Sequence, residues 1–243
     1  MCEIIAVTSG NGGSGKTMFA ANFASVLAMS GCRVLLMDLN AGLRNLDIAL
    51  GLESQIVYDI ADVVRGICPL DKALIRDSRF KALYLLSASQ DHAKASLRTA
   101  DMEQICGVLS ARFDFIIIDT PAGLGRDWRA AVSQANIAVV LMTQEYSSIR
   151  ETESLDINLQ KCGIRHRYAI INRVRRQDHQ HDCFPDLEEI DEAIRMPIAG
   201  GVIFDENIHL SMNSSIPVVC RKDSYIVRNF KRIFLRIYND LRK

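Results

Sequence analysis

The chain has 243 residues, 49% of them hydrophobic, which is enough for one large α/β domain. Its 29 basic and 29 acidic residues give a net charge of zero, so there is no overall electrostatic attraction to nucleic acid. We therefore expect no nucleic-acid partner. The seven cysteines are odd in number and scattered, as is typical of a reducing compartment. Neither a signal-peptide pattern nor an apolar run of the ~18 residues of a membrane span is present, so we expect a cytoplasmic protein.

Apolar runs bounded by turn signals predict strands, and several of them are apolar on both faces, as in a covered parallel sheet. The strands are expected at Glu3–Ser9, Arg33–Asp38, Leu83–Ser89, Phe115–Asp119, Ile137–Met142, Tyr168–Asn172 and Ala199–Ile203. Helical patterns are found at Lys16–Ser30, Met102–Arg112, Trp128–Gln134, Ile149–Cys162, Leu187–Arg195 and Tyr225–Leu241. The alternation predicts a doubly wound, mostly parallel sheet with helices on both faces. We expect residues 1–243 to form a single nucleotide-binding domain.

The first strand and the first helix are joined by a glycine-rich loop that matches the P-loop pattern G-x-x-x-x-G-K-[ST]. The loop reads Gly10, Asn11, Gly12, Gly13, Ser14, Gly15, Lys16 and Thr17, and Met18 follows it in the helix. Backbone N–H groups of such a loop, together with the helix N-terminus, bind phosphate oxygens. Lys16 is expected to reach the β- and γ-phosphates, and Thr17 to hold Mg²⁺. A glycine-rich turn without a ligand is the alternative, which the strand and helix context disfavours.

Two predicted strands end on aspartate, Asp38 and Asp119. In P-loop ATPases a carboxylate at the end of an apolar strand holds Mg²⁺, whereas in other folds an aspartate there often caps a turn. Asp119 precedes Thr120-Pro121-Ala122-Gly123, a bend that could offer N–H groups to a γ-phosphate. We therefore favour a magnesium role for Asp119.

Four segments together resemble the MinD/ParA family of deviant P-loop ATPases: the P-loop, Asp38–Asp47, Asp119–Gly123 and Glu145–Arg150. The resemblance extends from Ile4 to about Val219. It implies a P-loop fold, bound ATP or ADP with Mg²⁺, and an ATP-dependent homodimer. It also implies a regulatory protein partner, which the sequence does not identify, and a role in placing the cell-division site or in related positioning.

The resemblance also implies roles for individual residues. The predicted metal-binding residues are Thr17, Asp38 and Asp119. Pro121 and Gly123 are expected to lie at the phosphate, and Asn172, Arg173 and Glu206 at the adenine. The catalytic set would be Lys16, Asp38, Asn40 and Asn11. The family usually has proline where this chain has Phe204, which changes one wall of the adenine pocket.

Two of these positions depart from the family pattern. The family's signature lysine, which reaches across the dimer to the partner's phosphates, is replaced by Asn11, and the second carboxylate of the first switch is replaced by Asn40. An amide can orient a water molecule, but it can neither accept the water's proton nor carry charge. We therefore expect slow or impaired hydrolysis. Alternatives are a hydrolysis-deficient nucleotide-binding scaffold and a metabolic P-loop enzyme of the amidase or synthase type.

Three other features have less specific interpretations. The histidine-rich segment His179–Cys183, within Val174–Pro185, is interpreted as a solvated loop rather than a metal site. Trp128 could lie on a partner surface or anchor its helix. The amphipathic segment Tyr225–Lys243 could seal the sheet, which we favour, or make weak contact with an anionic membrane, leaving the protein peripheral at the inner face.

Overall fold

The computed structural model describes residues 2–91, 96–174, 184–220 and 225–242. Within these residues one sheet has the spatial order β3–β4–β2–β5–β1–β6–β7–β8. Its strands are β1 (Glu3–Thr8), β2 (Val34–Asp38), β3 (Leu74–Arg76), β4 (Leu83–Leu86), β5 (Phe115–Asp119), β6 (Ile137–Met142), β7 (His166–Val174) and β8 (Ile198–Ile203). Neighbouring strands are parallel except β3, which runs antiparallel to β4 at the sheet edge. The predicted fold class is confirmed.

Helices cover both faces of the sheet, because its strands bury apolar side chains on both sides. The helices are α1 (Lys16–Met29), α2 (Leu46–Leu50), α3 (Ile60–Val64), α4 (Leu70–Ala73), α5 (Thr99–Leu109), α6 (Arg126–Val132), α7 (Tyr146–Lys161), α8 (Leu187–Ala193), α9 (Glu206–Asn213) and α10 (Tyr225–Asp240). The core beneath α1, α2, α9 and α10 lies on one face, and that beneath α3 to α8 lies on the other.

The sequence pattern missed β3 and the helices α2, α3, α4 and α9. Each is at most eight residues long, too short for apolar periodicity to be distinctive. Predicted helix ends were also displaced by a few residues. Helix α5 begins at Thr99 rather than Met102, because the Asp101 carboxylate accepts the backbone N–H of Arg98 at 2.8 Å and fixes an earlier start.

The sheet brings the polar strand ends together. Strand β1 lies between β5 and β6, where the direction of the chain crossovers reverses, and ligands of open α/β sheets bind at such a point. Asp38 and Asp119 are direct partners across β2 and β5. The P-loop, which follows β1, therefore emerges beside both carboxylates.

Helix α10 closes one face of the sheet, as favoured from the sequence. Ile226, Phe230, Ile233 and Ile237 are buried. The Phe230 ring lies 5.4 Å from that of Phe19 on α1. None of the described helices is both long and apolar enough to cross a bilayer.

Trp128 is 2% exposed, and its indole N–H donates to the Thr8 hydroxyl at 2.8 Å. The partner-surface interpretation of this residue is therefore wrong. Trp128 anchors α6 to the strand that leads into the P-loop.

We expect Phe230→Ala to lower the free energy of unfolding by about 3–5 kcal/mol, since it leaves a cavity between α10 and α1. Leu235→Ala, on the 51% exposed side of the same helix, is the matched control and should change it by less than about 1 kcal/mol. Urea denaturation measures both. Equal losses would contradict the packing of α10 onto the sheet.

Candidate nucleotide site

The P-loop has the backbone that its sequence predicts. Gly13 and Gly15 have φ of 75° and 96°, values that side chains rarely allow. At Gly15 a Cβ would also lie 2.2 Å from Nδ2 of Asn172, and at Gly10 it would lie 2.4 Å from Cβ of Glu151. Two of the glycines are therefore required by close packing against β7 and α7, whereas Gly12 and Gly13 face open space.

Lys16 begins α1 and is 7% exposed. Its ammonium group donates to the Ser9 hydroxyl at 2.8 Å and to the carbonyl of Asn11 at 3.4 Å. Burial lowers the pKa of Lys16, and the nearby Asp119 carboxyl counteracts this. The charge is thus held over the loop, where phosphate oxygens could replace neutral acceptors. Ser9 was not predicted as a site residue.

The predicted metal-binding residues meet at the strand ends. The Thr17 hydroxyl donates to Oδ2 of Asp119 at 2.6 Å. The other oxygen, Oδ1, is buried and accepts no hydrogen bond of normal geometry from the described residues. An unsatisfied buried carboxylate oxygen beside a hydroxyl fits a Mg²⁺ ion, which binds through one or two carboxylates together with phosphates and waters.

Both aspartates are fully buried. The charge of Asp38 makes ionisation of Asp119 more costly, and the buried Asp47 does the same for Asp38. Burial, and then the neighbouring Asp38, raise the pKa of Asp119 to about 8. Burial raises the pKa of Asp38 to about 6, although backbone N–H groups of Asn40 and Leu46 partly offset this. Two carboxylates that resist ionisation together favour a cation in their midst.

Asn40 lies beside this pair. Its backbone N–H donates to Oδ1 of Asp38 at 2.8 Å, and its side-chain amide lowers the pKa of both Asp38 and Asp119. A carboxylate at position 40 would instead add a further negative charge next to buried carboxylates. The amide therefore stabilises the aspartate pair in the protein without a cation.

The segment after β5 starts at Thr120, whose backbone N–H and hydroxyl both donate to the Val7 carbonyl, at 3.1 and 3.0 Å. Pro121 and Gly123 follow, and Gly123 has a φ of 84° that favours glycine. This segment is therefore held beside the strand that leads into the P-loop, and a contact of Pro121 and Gly123 with phosphate stays a prediction.

A cavity of about 530 Å³ adjoins the P-loop. It includes the predicted contacts Gly15, Met18, Asn172, Arg173 and Glu206. Phe204, which the resemblance placed in one wall of the adenine pocket, also lines the cavity, as does Ile203 at the end of β8. The wall residues that were not predicted come from α9 and the position before it: Asp205, Ile208, His209, Leu210 and Met212. Because α9 was not predicted, only its first residue had been recognised, by resemblance.

Asn172 joins this cavity to the P-loop. Its Nδ2 donates to the Ser14 carbonyl at 2.7 Å, and its Oδ1 accepts the backbone N–H of Arg173 at 2.9 Å. One N–H and one lone pair of the amide are left for a ligand. Arg173 has a φ of 57°, a strained value for an arginine, which this hydrogen bond helps to hold.

The described residues contain no cluster of three or more histidine, cysteine or acidic side chains that could bind a metal on its own. The predicted loop Val174–Pro185, with His179–Cys183, lies largely outside the residues that the structure describes.

Comparison with known proteins agrees with this geometry. A family model described as an AAA domain matches residues 2–168. MinD of Synechocystis, a septum site-determining protein, is 39% identical over 219 residues, which cover 90% of this chain and 82% of the relative. The chain belongs to the MinD/ParA family of deviant P-loop ATPases. MinD of Bacillus subtilis is 36% identical over 97% of this chain and 90% of its own length.

Solved structures of the MinD/ParA family have the same fold. The MinC:MinD cell division complex of Aquifex aeolicus gives a TM-score of 0.86 at 34% identity, covering 98% of this chain and 96% of the other. MinD of Pyrococcus horikoshii, complexed with Mg-ADP, gives 0.86 at 26% identity over 96% and 94%. A ParA family ATPase from Chlorobium tepidum, 19% identical with a TM-score of 0.80 over 98% and 100%, shares the fold.

We expect Asp119→Asn to raise the melting temperature of the protein in EDTA, because it removes a buried carboxylate that has a raised pKa. The same change should abolish the effect of Mg²⁺ on ATP affinity, measured by calorimetry. Asp191→Asn, on the exposed part of α8, is the control and should change neither quantity. A destabilised variant that keeps its Mg²⁺ response would contradict the magnesium site.

Proposed function

We propose that this chain is an ATP-binding switch protein of the MinD type, in which residues 1–243 act as one nucleotide-binding domain. Mg²⁺-ATP would bind with its phosphates on Gly10–Thr17, its metal at Thr17, Asp38 and Asp119, and its adenine in the cavity beside Asn172. The observation that carries the proposal is the convergence of Lys16, Thr17 and Asp119 at the mouth of the P-loop. The bound metal would neutralise the aspartate pair and phosphate charge.

The output of the switch would be an ATP-dependent homodimer that a partner protein recognises. The Aquifex relative was solved as a MinC:MinD complex, which supports a protein partner of that general kind. The cellular role would be placement of the division site or a related positioning task, as the names of the relatives suggest. The basic side chains of Tyr225–Lys243 would allow a weak additional contact with an anionic membrane.

Hydrolysis would be slow. Its usual requirements in this family are a cation that reaches across the dimer and a carboxylate at the attacking water, and this chain has Asn11 and Asn40 in those places. In the structure, Asn40 stabilises the ionised forms of Asp38 and Asp119. An aspartate at position 40, without a lysine at position 11, would repel them. Relative to the family pattern, Asn11 removes one positive charge and Asn40 removes one negative charge. We interpret the two replacements as linked.

We expect Lys16→Ala to weaken ATP binding by at least tenfold, about 1.4 kcal/mol, because it removes the one buried cation over the P-loop among the described residues. Lys161→Ala, exposed at the end of α7, is the matched control. Isothermal calorimetry measures both affinities. Unchanged ATP affinity in Lys16→Ala would refute the proposed nucleotide site.

We expect single-turnover hydrolysis by the wild type to fall orders of magnitude below the usual range of about 1–10³ s⁻¹. The Asn11→Lys variant still lacks a carboxylate at position 40, and Asn40→Asp alone adds a negative charge beside buried carboxylates. Each single variant should therefore raise the hydrolysis rate only a little. The double variant should exceed the product of the single effects, since the two groups would act as a unit. A wild type as fast as the double variant would show that the amides suffice.

The runner-up is a hydrolysis-deficient nucleotide-binding scaffold, and a third possibility, from another class, is a metabolic P-loop enzyme of the amidase or synthase type. Such an enzyme would consume ATP only with a second substrate and without dimerising. Light scattering during the same ATP titration separates this enzyme from the switch, because the switch should double its mass when Mg²⁺-ATP saturates it.

A further inference from the structure

Arg79, in the turn between β3 and β4, lies outside the proposed nucleotide site but is unusually well fixed. Its guanidinium contacts the Asp77 carboxylate through Nε at 2.9 Å and through Nη2 at 2.6 Å. Asp77 is 1% exposed, and it also accepts the backbone N–H of Arg79 at 3.0 Å. A bidentate pair of this kind, with a buried carboxylate and a partly exposed guanidinium, holds the guanidinium in one orientation.

The same guanidinium donates to backbone carbonyls from two distant parts of the chain. Nη2 reaches the carbonyl of Leu50 at 2.5 Å, and Nη1 reaches that of Ser215 at 3.2 Å. Leu50 is the last residue of α2, and Ser215 lies two residues beyond the end of α9. The last carbonyls of a helix lack partners within the helix and carry partial negative charge, so the cation stabilises the end of α2. Its bond to Ser215 holds the turn after α9 beside that end.

The opposite ends of these two helices border the two halves of the proposed site. The backbone N–H of Leu46, which begins α2, donates to Oδ2 of Asp38 at 3.3 Å. Helix α9 begins at Glu206, which lines the base cavity together with Ile208 and His209. One helix thus starts at the proposed magnesium carboxylates, and the other starts at the proposed adenine pocket.

Helices α2 and α9 also pack directly against each other. Gly51, which ends α2 with a φ of 63°, is so close to Ser215 that an added Cβ would lie 3.1 Å from both its Cβ and its carbonyl oxygen. Ser215 itself has a φ of 57°. The contact beneath Arg79 therefore leaves little room for one helix to shift without the other.

We infer that Arg79 is a positioning residue that couples the base pocket to the magnesium carboxylates, so that the nucleotide base and Mg²⁺ strengthen each other's binding. The inference rests on the proposed Mg²⁺-ATP function. A base that settles against α9 fixes its C-terminal end, Arg79 transmits that position to α2, and α2 carries it to Asp38. Coupling of this kind is reciprocal, so Mg²⁺ also tightens the base pocket.

The test compares ATP with inorganic tripolyphosphate, which has the phosphates but no base. Calorimetry gives the affinity of each ligand with and without Mg²⁺. For each ligand, the factor by which Mg²⁺ raises the affinity is calculated. The readout is the quotient of the two factors, that for ATP divided by that for tripolyphosphate. Differences between the ligands in free solution are the same for every protein variant, so a change in the quotient between variants reports coupling within the protein.

The main variant is Asp77→Asn with Arg79→Gln, which removes both charges and leaves no buried carboxylate unpaired. We expect its quotient to fall at least fivefold below that of the wild type, in the usual range of coupling between sites. The control is Asp114→Asn with Arg33→Gln, another aspartate–arginine pair, which is more exposed and lies at the amino end of β2. Its quotient should stay within twofold of the wild type.

Each result bears on the inference. If the quotient of the main variant stays within twofold of the wild type, the coupling is overturned. A lower melting temperature in that case would mean that Arg79 contributes to stability only. If that variant does not fold, Arg79→Lys takes its place, since one ammonium group cannot span three acceptors, and the same quotient decides. A wild type that binds neither ligand would overturn the proposed function, and this inference with it.

Discussion

The central constraint in this molecule is the burial of two carboxylates side by side. Asp38 and Asp119 end neighbouring parallel strands in register, and both are fully buried. Water cannot solvate their charges there, so the surrounding groups must do so. The Thr17 hydroxyl, the backbone N–H groups of Asn40 and Leu46, and the buried Lys16 are arranged around them. A bound cation, together with phosphate oxygens, would complete the compensation of the two carboxylate charges.

That constraint also explains why the site depends on several strands of the sheet. Register between β2 and β5 sets the aspartates opposite each other, and β1 brings the P-loop to the same edge. Trp128 ties α6 to Thr8, and Asn172 ties β7 to Ser14. Side-chain hydrogen bonds thus join α6 to β1 and β7 to the P-loop. The geometry is preorganised, which is what binding and transition-state stabilisation both require.

Much of this could be predicted from sequence, for identifiable reasons. Long apolar runs such as Phe115–Asp119 predict their strands because they are buried on both faces. A P-loop has a fixed length and composition, so each of its residues can be assigned from the sequence. Short elements do not have this advantage. Helix α9 has eight residues and α2 has five, and their positions depend on tertiary contacts such as Arg79 with Leu50 and Ser215. Hence the part of the base cavity wall that α9 contributes after Glu206, and the acceptor role of Ser9, were absent from the sequence prediction.

The close approach of Gly15 to Asn172 has a consequence for engineering the protein. One amide side chain serves the loop that would hold phosphate and the strand end that would meet the base. A designer who replaces Asn172 to change base preference would also release the Ser14 carbonyl and loosen the phosphate loop. Selectivity and affinity are not separable on that side of the cavity. The Phe204 ring, which is 58% exposed, lines the same cavity and cannot hydrogen-bond to the phosphate loop, so a substitution there can change base preference without releasing that loop.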